Sequence, residues 1–443
     1  MKNWPRLLLL LSSILVSPAA TPAQEPVRLT LQQAIALAIS PRGTAAVQLA
    51  EAAQSAAKAR ISLAHSYRYP LFSFGISESN VTRNLGAEGF NFPTGVPGFV
   101  IPQSVGPFNI FDARIEMTQT LFDLSAIRRS RAITAAFDAA ASESTVNREA
   151  AAAQAAHDYL VALHADASVE TATGGVTRAE AMIHRAQDRV DAGKASDAEM
   201  DRARLHRAAA RTTLSNAQRD ATDARLQLLN DLGLDFTASL ELTDKLTYSS
   251  AADSHADLKA AIDQALANRA ELKTGAARQA QARDEAAAVH AGALPTVQAY
   301  GDVGPQGEVI THTVGVSARI TVFDGGRRRA QEAESAAAVH QYDIQQHDLR
   351  RQIELEVRRA FANLQAAAAA AQNADEALKL SQEEVARAQR RYDNGVADNS
   401  ELLDAQAAET QAKEDQLRAW FTWNQSRLEM SQSTGTAEQM SMK

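Results

Sequence analysis

The chain has 443 residues, no cysteine and a formal net charge of −8. These facts exclude a disulfide framework, a thiolate metal site and a lipid-anchoring cysteine, and they leave no basic footprint for nucleic acid. Abundant alanine, aromatics at only 5% and Gly and Pro gathered in a few places describe long helices with short interruptions rather than several globular domains.

Residues 1–23 carry Lys2 and Arg6, an apolar run from Leu7 to Val16, and small residues around Ala20 and Ala23, the pattern of a secretory signal peptide. After it no run of about eighteen apolar residues occurs, so a membrane-crossing segment has to be β-structure. A first repeat is expected over 24–245. It opens with a helix from Leu31 to Ser66 and continues with strands at 71–80 and 111–122. In Phe72-Ser73-Phe74-Gly75-Ile76-Ser77 apolar and small polar residues alternate, and Phe111, Ala113, Ile115 and Met117 alternate with Asp112, Arg114, Glu116 and Thr118. The Gly- and Pro-rich stretch from Asn84 to Phe108 reads as an external loop. A long helix follows over 123–190, with Asp123 as its N-cap and a kink expected at Gly174-Gly175, and then a return helix over 197–232.

A second repeat over 246–435 keeps the same order. Leu258, Ala261, Ile262 and Ala265 reproduce Leu31, Ala34, Ile35 and Ala38, and Phe323-Asp324 reproduces Phe122-Asp123. Its strands are expected at 296–303 and 312–323, its long helix at 324–392 and its return helix at 398–434, before a short tail at 436–443. Arg189-Val190-Asp191-Ala192-Gly193 matches Arg391-Tyr392-Asp393-Asn394-Gly395, and Glu199 matches Glu401, all in one register. Each long helix of about 68 residues measures roughly 100 Å. Ala162, Ala165, Val169, Ala172, Val176 and Ala179 step by threes and fours, as do Leu364, Ala367, Ala371, Ala374, Leu378 and Ser381, which is a coiled-coil seam with room for close helix approach.

The alternating strands fit either a half-buried soluble sheet or a bilayer-spanning wall with a wet inner face, and Arg114, Glu116 and Arg319 on the polar face favour the wall. Four strands cannot enclose water, so a wall requires oligomerisation. Arg128, Arg129, Arg131 and Arg327 to Arg329 stand at the starts of the long helices, where either lipid headgroups or neighbouring acids are the expected partners. Trp420, Phe421 and Trp423 are assigned to core packing.

The duplication, the two hairpins, the long helices, and the turn Arg391-Tyr392-Asp393-Asn394-Gly395 followed by Glu401-Leu402-Leu403-Asp404-Ala405 together resemble the TolC-type outer-membrane efflux proteins. The resemblance covers nearly all of the mature chain. It implies a mainly α fold with a membrane β-barrel portion: a duplicated helix/β-hairpin/long-helix repeat in a homotrimer, four strands per chain and twelve in total, with a coiled-coil periplasmic tunnel. It further implies a passive exit duct of a tripartite efflux pump or type I secretion system, set in outer-membrane lipid and met by a periplasmic adaptor (membrane fusion protein) and an inner-membrane transporter. Residues from Gly233 to Asp257 fall where the family has part of an equatorial belt.

In that family acidic side chains beyond the turn ring a closed periplasmic tip. The matching positions are Asp404, Glu401 and Glu199, and the tip turn expected to meet the adaptor includes Gly193, Lys194, Gly395, Asn399 and Tyr392. Two other readings stand beside these. Ser196-x-x-Glu199 and Asp398-x-x-Glu401 have capping-box spacing, and Tyr392 lies in the helical seam as a core residue would. Where some family members carry a gate arginine the chain has Ala397.

No nucleophile elbow, phosphate loop or nucleotide fingerprint is present, so no catalytic residue, cofactor or metal site is expected; His157 and His164 lack the company of ligating carboxylates. The competing functions are a non-pore envelope coiled coil or adhesin and a periplasmic adaptor subunit. They share the helices and differ at the hairpins.

Overall fold

The computed structural model describes residues 27–89, 102–193, 196–249, 257–396 and 399–442. The expected signal segment lies outside the described residues, as do most of the tip of the 84–108 loop, Lys194, Ala397 and Asp398; Asn399 is described only as the start of a helix. The first repeat runs β1 (Val27–Leu29), α1 (Leu31–Ala38), α2 (Ala45–Ser66), β2 (Leu71–Asn84), β3 (Ser104–Phe122), α3 (Leu124–Asp191), α4 (Asp197–Asp231) and β4 (Leu240–Leu242). The second runs α5 (Leu258–Asn268), α6 (Ala270–Ala291), β5 (Thr296–Gln306), β6 (Val309–Arg319), α7 (Arg327–Asp393) and α8 (Asn399–Ser433), closed by a short 3₁₀ turn at Ala437–Gln439.

Several boundaries differ from the sequence reading for identifiable reasons. The single helix expected from Leu31 to Ser66 is two helices. Pro41 can donate no backbone hydrogen bond, and Gly43 backs onto the Ala38 and Leu37 carbonyls with no space for a Cβ. Its counterpart in the second repeat is a bend at one residue, Arg269, whose guanidinium is tied to Glu271 at 2.8 Å and Glu356 at 2.9 Å. The strand expected to reach 323 stops at Arg319, because β5 begins opposite it at Thr296 and offers no further partner. The following helix starts at Arg327 rather than 324. Gly325 and Gly326 both take positive φ, and Asp324 accepts the Gly326 and Arg328 N–H groups across that turn.

The first long helix begins as its sequence suggests, with Asp123 accepting the Ala126 N–H at 2.9 Å, and is continuous through Gly174 and Gly175. Ala172 and Ala179 are buried on either side of that pair, so packing holds the helix where its propensity is weakest. α3 packs against α2 and α6 in its upper half and α4 and α8 below, while α7 packs against α6 and α8. The 22 residues of α2 and the 35 of α4 cover most of the length of the 68-residue α3, at ~1.5 Å per residue.

The remaining gap is the site of the main core. Leu31 and Ile35 of α1, Tyr159 and Leu160 of α3, Leu228 of α4, Leu240 and Leu428 meet there, beside a parallel pair of short strands, β1 and β4. The Tyr159 hydroxyl lies 2.9 Å from both the Leu29 carbonyl and Asp244 Oδ2, and Asp244 also accepts the Leu31 N–H at 2.7 Å. One buried hydroxyl therefore joins the chain before α1 to the chain after α4. In the second repeat Trp423 is buried against Leu364 and Ala367 and edge-on to Tyr248, and Trp420 donates to Asp375 at 2.9 Å.

At the lower rim of this core, Gln154 donates to both oxygens of Asp158, at 3.1 and 3.0 Å, and reaches Asp231 at 3.5 Å. Burial, then the neighbouring Asp231, pushes the Asp158 carboxyl up to about 7. Asp231, in spite of its own desolvation, is held low by hydrogen bonds from Asp158, Gln227, Asn230 and Gln154. The folded pair thus holds a proton that the unfolded chain releases near 3.8, and its stabilisation is complete below that value and lost as pH rises through about 7. Asp231 acts with opposite sign, and only at lower pH. Asp158→Asn should therefore flatten the decline in melting temperature of the detergent-solubilised protein between about pH 4 and 7; an equal slope in both proteins would show that the pair shares no proton.

Candidate functional site: the sheet wall and the helical tip

The order β2-β3-β5-β6 makes one antiparallel four-stranded sheet. Its register decides what each face carries. Phe72 lies opposite Met117, Met117 opposite Gly301, and Gly301 opposite Val314; Phe74 lies opposite Ile115, and Ile115 opposite Val303. The other face aligns Ser73, Glu116, Asp302 and Thr313 in one row. Through Phe72–Ile76, Ala113–Met117, Val297–Val303 and Val314–Ala318 the four alternating patterns fall in phase, giving a largely apolar surface opposite a polar one; His312 shares the apolar side opposite Val303, and Glu78, Asn80 and Asn109 take it over farther from the helices. In the isolated chain the apolar side is uncovered, with Val314 84% and Phe72 64% exposed.

On the polar face Arg114 grips Asp112 through two hydrogen bonds of 2.6 Å and reaches Asp302 on β5 at 2.9 Å. Gly315 makes room for the Tyr300 ring, whose atoms stand 2.6 Å from where a Cβ would be. β2 and β6 each pair on one side only, so the sheet has two open edges.

At the opposite end of the molecule four helices converge. Met182 and Ala186 of α3, Met200 of α4, Ala388 of α7 and Leu402 and Leu403 of α8 form a separate apolar cluster. Both long helices end in a left-handed glycine, Gly193 at φ 65° and Gly395 at φ 71°. At the second, the Val396 N–H bonds to the Arg391 carbonyl at 2.9 Å and the Gly395 N–H to the Tyr392 carbonyl at 3.0 Å, the paired bonds of a Schellman ending.

The three acids of the expected ring occupy different environments. Glu199 is only 7% exposed and accepts the Tyr392 hydroxyl at 3.0 Å. Arg189 Nε lies 3.5 Å from the same carboxylate, its guanidinium stands 4.5 Å from the Tyr392 ring centre, and its Nη1 donates to the Tyr392 carbonyl at 3.2 Å. Tyr392, itself 2% exposed, is both a packed core residue and a polar link between α7 and α4. Burial and then Glu199 push its hydroxyl up to about 12, so it remains a donor at every physiological pH. The Ser196 side chain makes no cap bond, and the Glu199 carboxylate turns to Tyr392, so the capping-box alternative does not describe this position.

Glu401 is exposed and pairs with Arg391 Nε at 2.9 Å, while Asp404, one turn on, is exposed without an ion pair among the described residues. The sequence reading missed Arg189, yet the signal was there: Arg189 and Glu199 are the repeat mates of Arg391 and Glu401. The same Arg–Glu pair forms in both repeats. Glu199 is buried and Glu401 exposed because the residue after the arginine is Val190 in the first repeat and Tyr392 in the second, and Tyr392 closes over Glu199.

The solved structures with this fold include the VceC outer membrane protein of Vibrio cholerae, 16% identical, covering 91% of this chain and 96% of that one at a TM-score of 0.76. The MtrE outer membrane channel of Neisseria gonorrhoeae, in its open state, is 15% identical, with 92% and 89% covered and a TM-score of 0.76. For the CmeC outer membrane channel of Campylobacter jejuni the values are 15%, 92%, 86% and 0.74. At such identities the likeness establishes the fold. No curated protein sequence matches the chain. The outer membrane efflux protein family model matches residues 43–234 and 261–436, one segment in each repeat and most of the chain between them, so the chain belongs to the outer membrane efflux protein family.

Proposed function

We propose that three copies of this chain close into a passive exit duct through the outer membrane, the outermost part of a tripartite efflux pump or type I secretion system. The observation that carries this reading is the sheet. A wall with an apolar face and two unpaired edges is stable in hydrocarbon only when its edges meet other copies. Three copies of a four-stranded sheet give twelve strands, an even-numbered barrel wide enough for water. Membership of an outer membrane efflux family supports the same reading. The long helices carry the duct roughly 100 Å into the periplasm. There the turns at Gly193, Lys194, Gly395 and Asn399 offer a surface to a periplasmic adaptor, which connects the duct to an inner-membrane transporter that supplies energy and selects cargo.

The tip acts as the gate in this proposal. Glu199, Tyr392 and Arg189 form a latch between the α3–α4 and α7–α8 hairpins, while Glu401 and Asp404, repeated three times about the axis, supply an acidic ring that attracts cations. Tyr392→Phe deletes a hydrogen bond to a buried carboxylate, worth ~1.5–3 kcal/mol. The closed-to-open balance should shift by about tenfold or more toward conduction in planar bilayers, and unchanged conductance in a correctly assembled trimer would discard the latch. Asp404→Ala should weaken block of the current by divalent cations; block of unaltered strength would place Asp404 away from the constriction. Wild-type and Tyr392→Phe protein that both fail to conduct would count against the duct itself and favour a non-pore coiled coil.

A further inference from the structure

The antiparallel order of the sheet places all four strand–helix junctions at one end: α2 into β2, β3 into α3, α6 into β5 and β6 into α7. The strands end at this level, where Leu121, Phe122, Val322 and Phe323 are still exposed. Just beyond it, Tyr67 and Tyr69 are 69% and 72% exposed, and the Gln119 side chain reaches the Arg68 carbonyl at 3.5 Å, fixing that segment beside the end of β3. Exposed tyrosines at the margin of an apolar band mark the interfacial layer of a bilayer, where a ring sits among acyl chains and a hydroxyl among headgroups.

The charge at this level runs against that of the whole chain, which is −8. Arg128 and Arg328 find acids, at 3.4 Å from Asp284 and 3.7 Å from Glu332. Arg129, Arg131 and Arg329 are exposed and make no ion pair with a described residue, and Arg327 reaches Asp324 only through space. Four carboxylates at this level are already engaged. Asp123 and Asp324 accept backbone N–H groups, Asp284 holds Arg128, and Glu332 is shared between Arg328 and His290. Arg129, Arg131 and Arg329 therefore stand without a matching acid among the described residues, and Arg327 and Arg329 lie in the first turn of α7, where positive charge is itself disfavoured. An external anion removes both penalties.

We infer that this level is a docking surface for the anionic phosphodiester headgroups of phospholipids in the periplasm-facing leaflet, recognised by Arg129, Arg131, Arg327 and Arg329 with Tyr67 and Tyr69 as interfacial anchors. The inference rests on the sheet crossing the outer membrane, as proposed above. Arginine suits the task because its planar fork matches two phosphate oxygens at once. Headgroup contact would fix the depth of the barrel and hold the first turns of the two long helices against the membrane.

The test uses the full-length channel purified in neutral detergent and offered equal amounts of phosphatidylglycerol and phosphatidylcholine with identical acyl chains, with bound lipid counted by native mass spectrometry. Phosphatidylglycerol should be retained preferentially, each Arg→Gln change at the four positions should lower the preference by roughly fivefold, and Arg→Lys should keep most of it. High salt should erase the preference in the wild-type protein, a reading that needs no variant to fold. Equal retention of the two lipids, or a preference surviving all four Arg→Gln changes, overturns the inference. So does inorganic phosphate that displaces phosphatidylglycerol at comparable concentration, which would assign the arginines to a free anion. Conductance of the same preparations separates the two readings: a conducting channel without lipid preference loses only this surface, whereas loss of the duct shows as silence in the bilayer.

Discussion

A strand edge in hydrocarbon leaves a row of N–H and C=O groups with neither water nor a neighbour, at a cost of several kcal/mol for each group. This chain builds two such edges, on β2 and β6. Everything above the helices follows from that demand. The register must bring four alternating patterns into phase, since a slip of one residue would turn Phe72, Phe74 and Ile115 toward water and Glu116 and Asp302 toward lipid. The polar surface must in turn satisfy its own charges, which Arg114 does by bridging Asp112 and Asp302 across two strands.

The helices obey a different rule. They stand in water on at least one side, need no edge pairing, and gain stability from a narrow seam of small residues that lets their backbones approach. Ala152, Ala156, Ala162, Ala172, Ala179 and Ala186 are buried along α3, and the duplicated seam on α7 buries Leu364, Ala367, Ala371 and Ala388. Alanine seams leave few bulky side chains for specificity. Larger residues are accordingly concentrated at two levels, the belt around Tyr159 and Trp423 and the tip around Tyr392.

Duplication supplies the architecture, and departures from it make the two halves of the tip unequal. The Arg–Glu pair at the base of each hairpin is common to both repeats, yet Val190 in one and Tyr392 in the other make the first a three-way contact around a buried Glu199 and leave the second on the surface. A buried charge held by an arginine and a hydroxyl is costly to separate, whereas an exposed pair contributes little. The two halves of the tip are therefore unequal in strength although they are alike in sequence, and the stronger link is the one that spans both repeats.

What is local and periodic was legible along the chain. Alternation every second residue marked the four strands, the three-and-four spacing marked both long helices, and Gly193 and Gly395 marked their ends, because each depends only on neighbours along the chain. Constant register between repeats was enough to relate Glu199 to Glu401. Tertiary structure decided what depends on residues far apart in the chain. The pairing of β1 with β4 rests on three residues on each side and has no periodic signature. The continuity of α3 through Gly174-Gly175 comes from its packed neighbours rather than its propensity, and the Asp158 carboxyl is pushed up by burial and then by Asp231, which α4 brings beside it. The fate of Glu199 is the sharpest instance. Its spacing from Ser196 suits a cap, but its carboxylate goes to Tyr392 and Arg189, since burial between four helices makes a hydroxyl and a guanidinium better partners than an exposed backbone N–H.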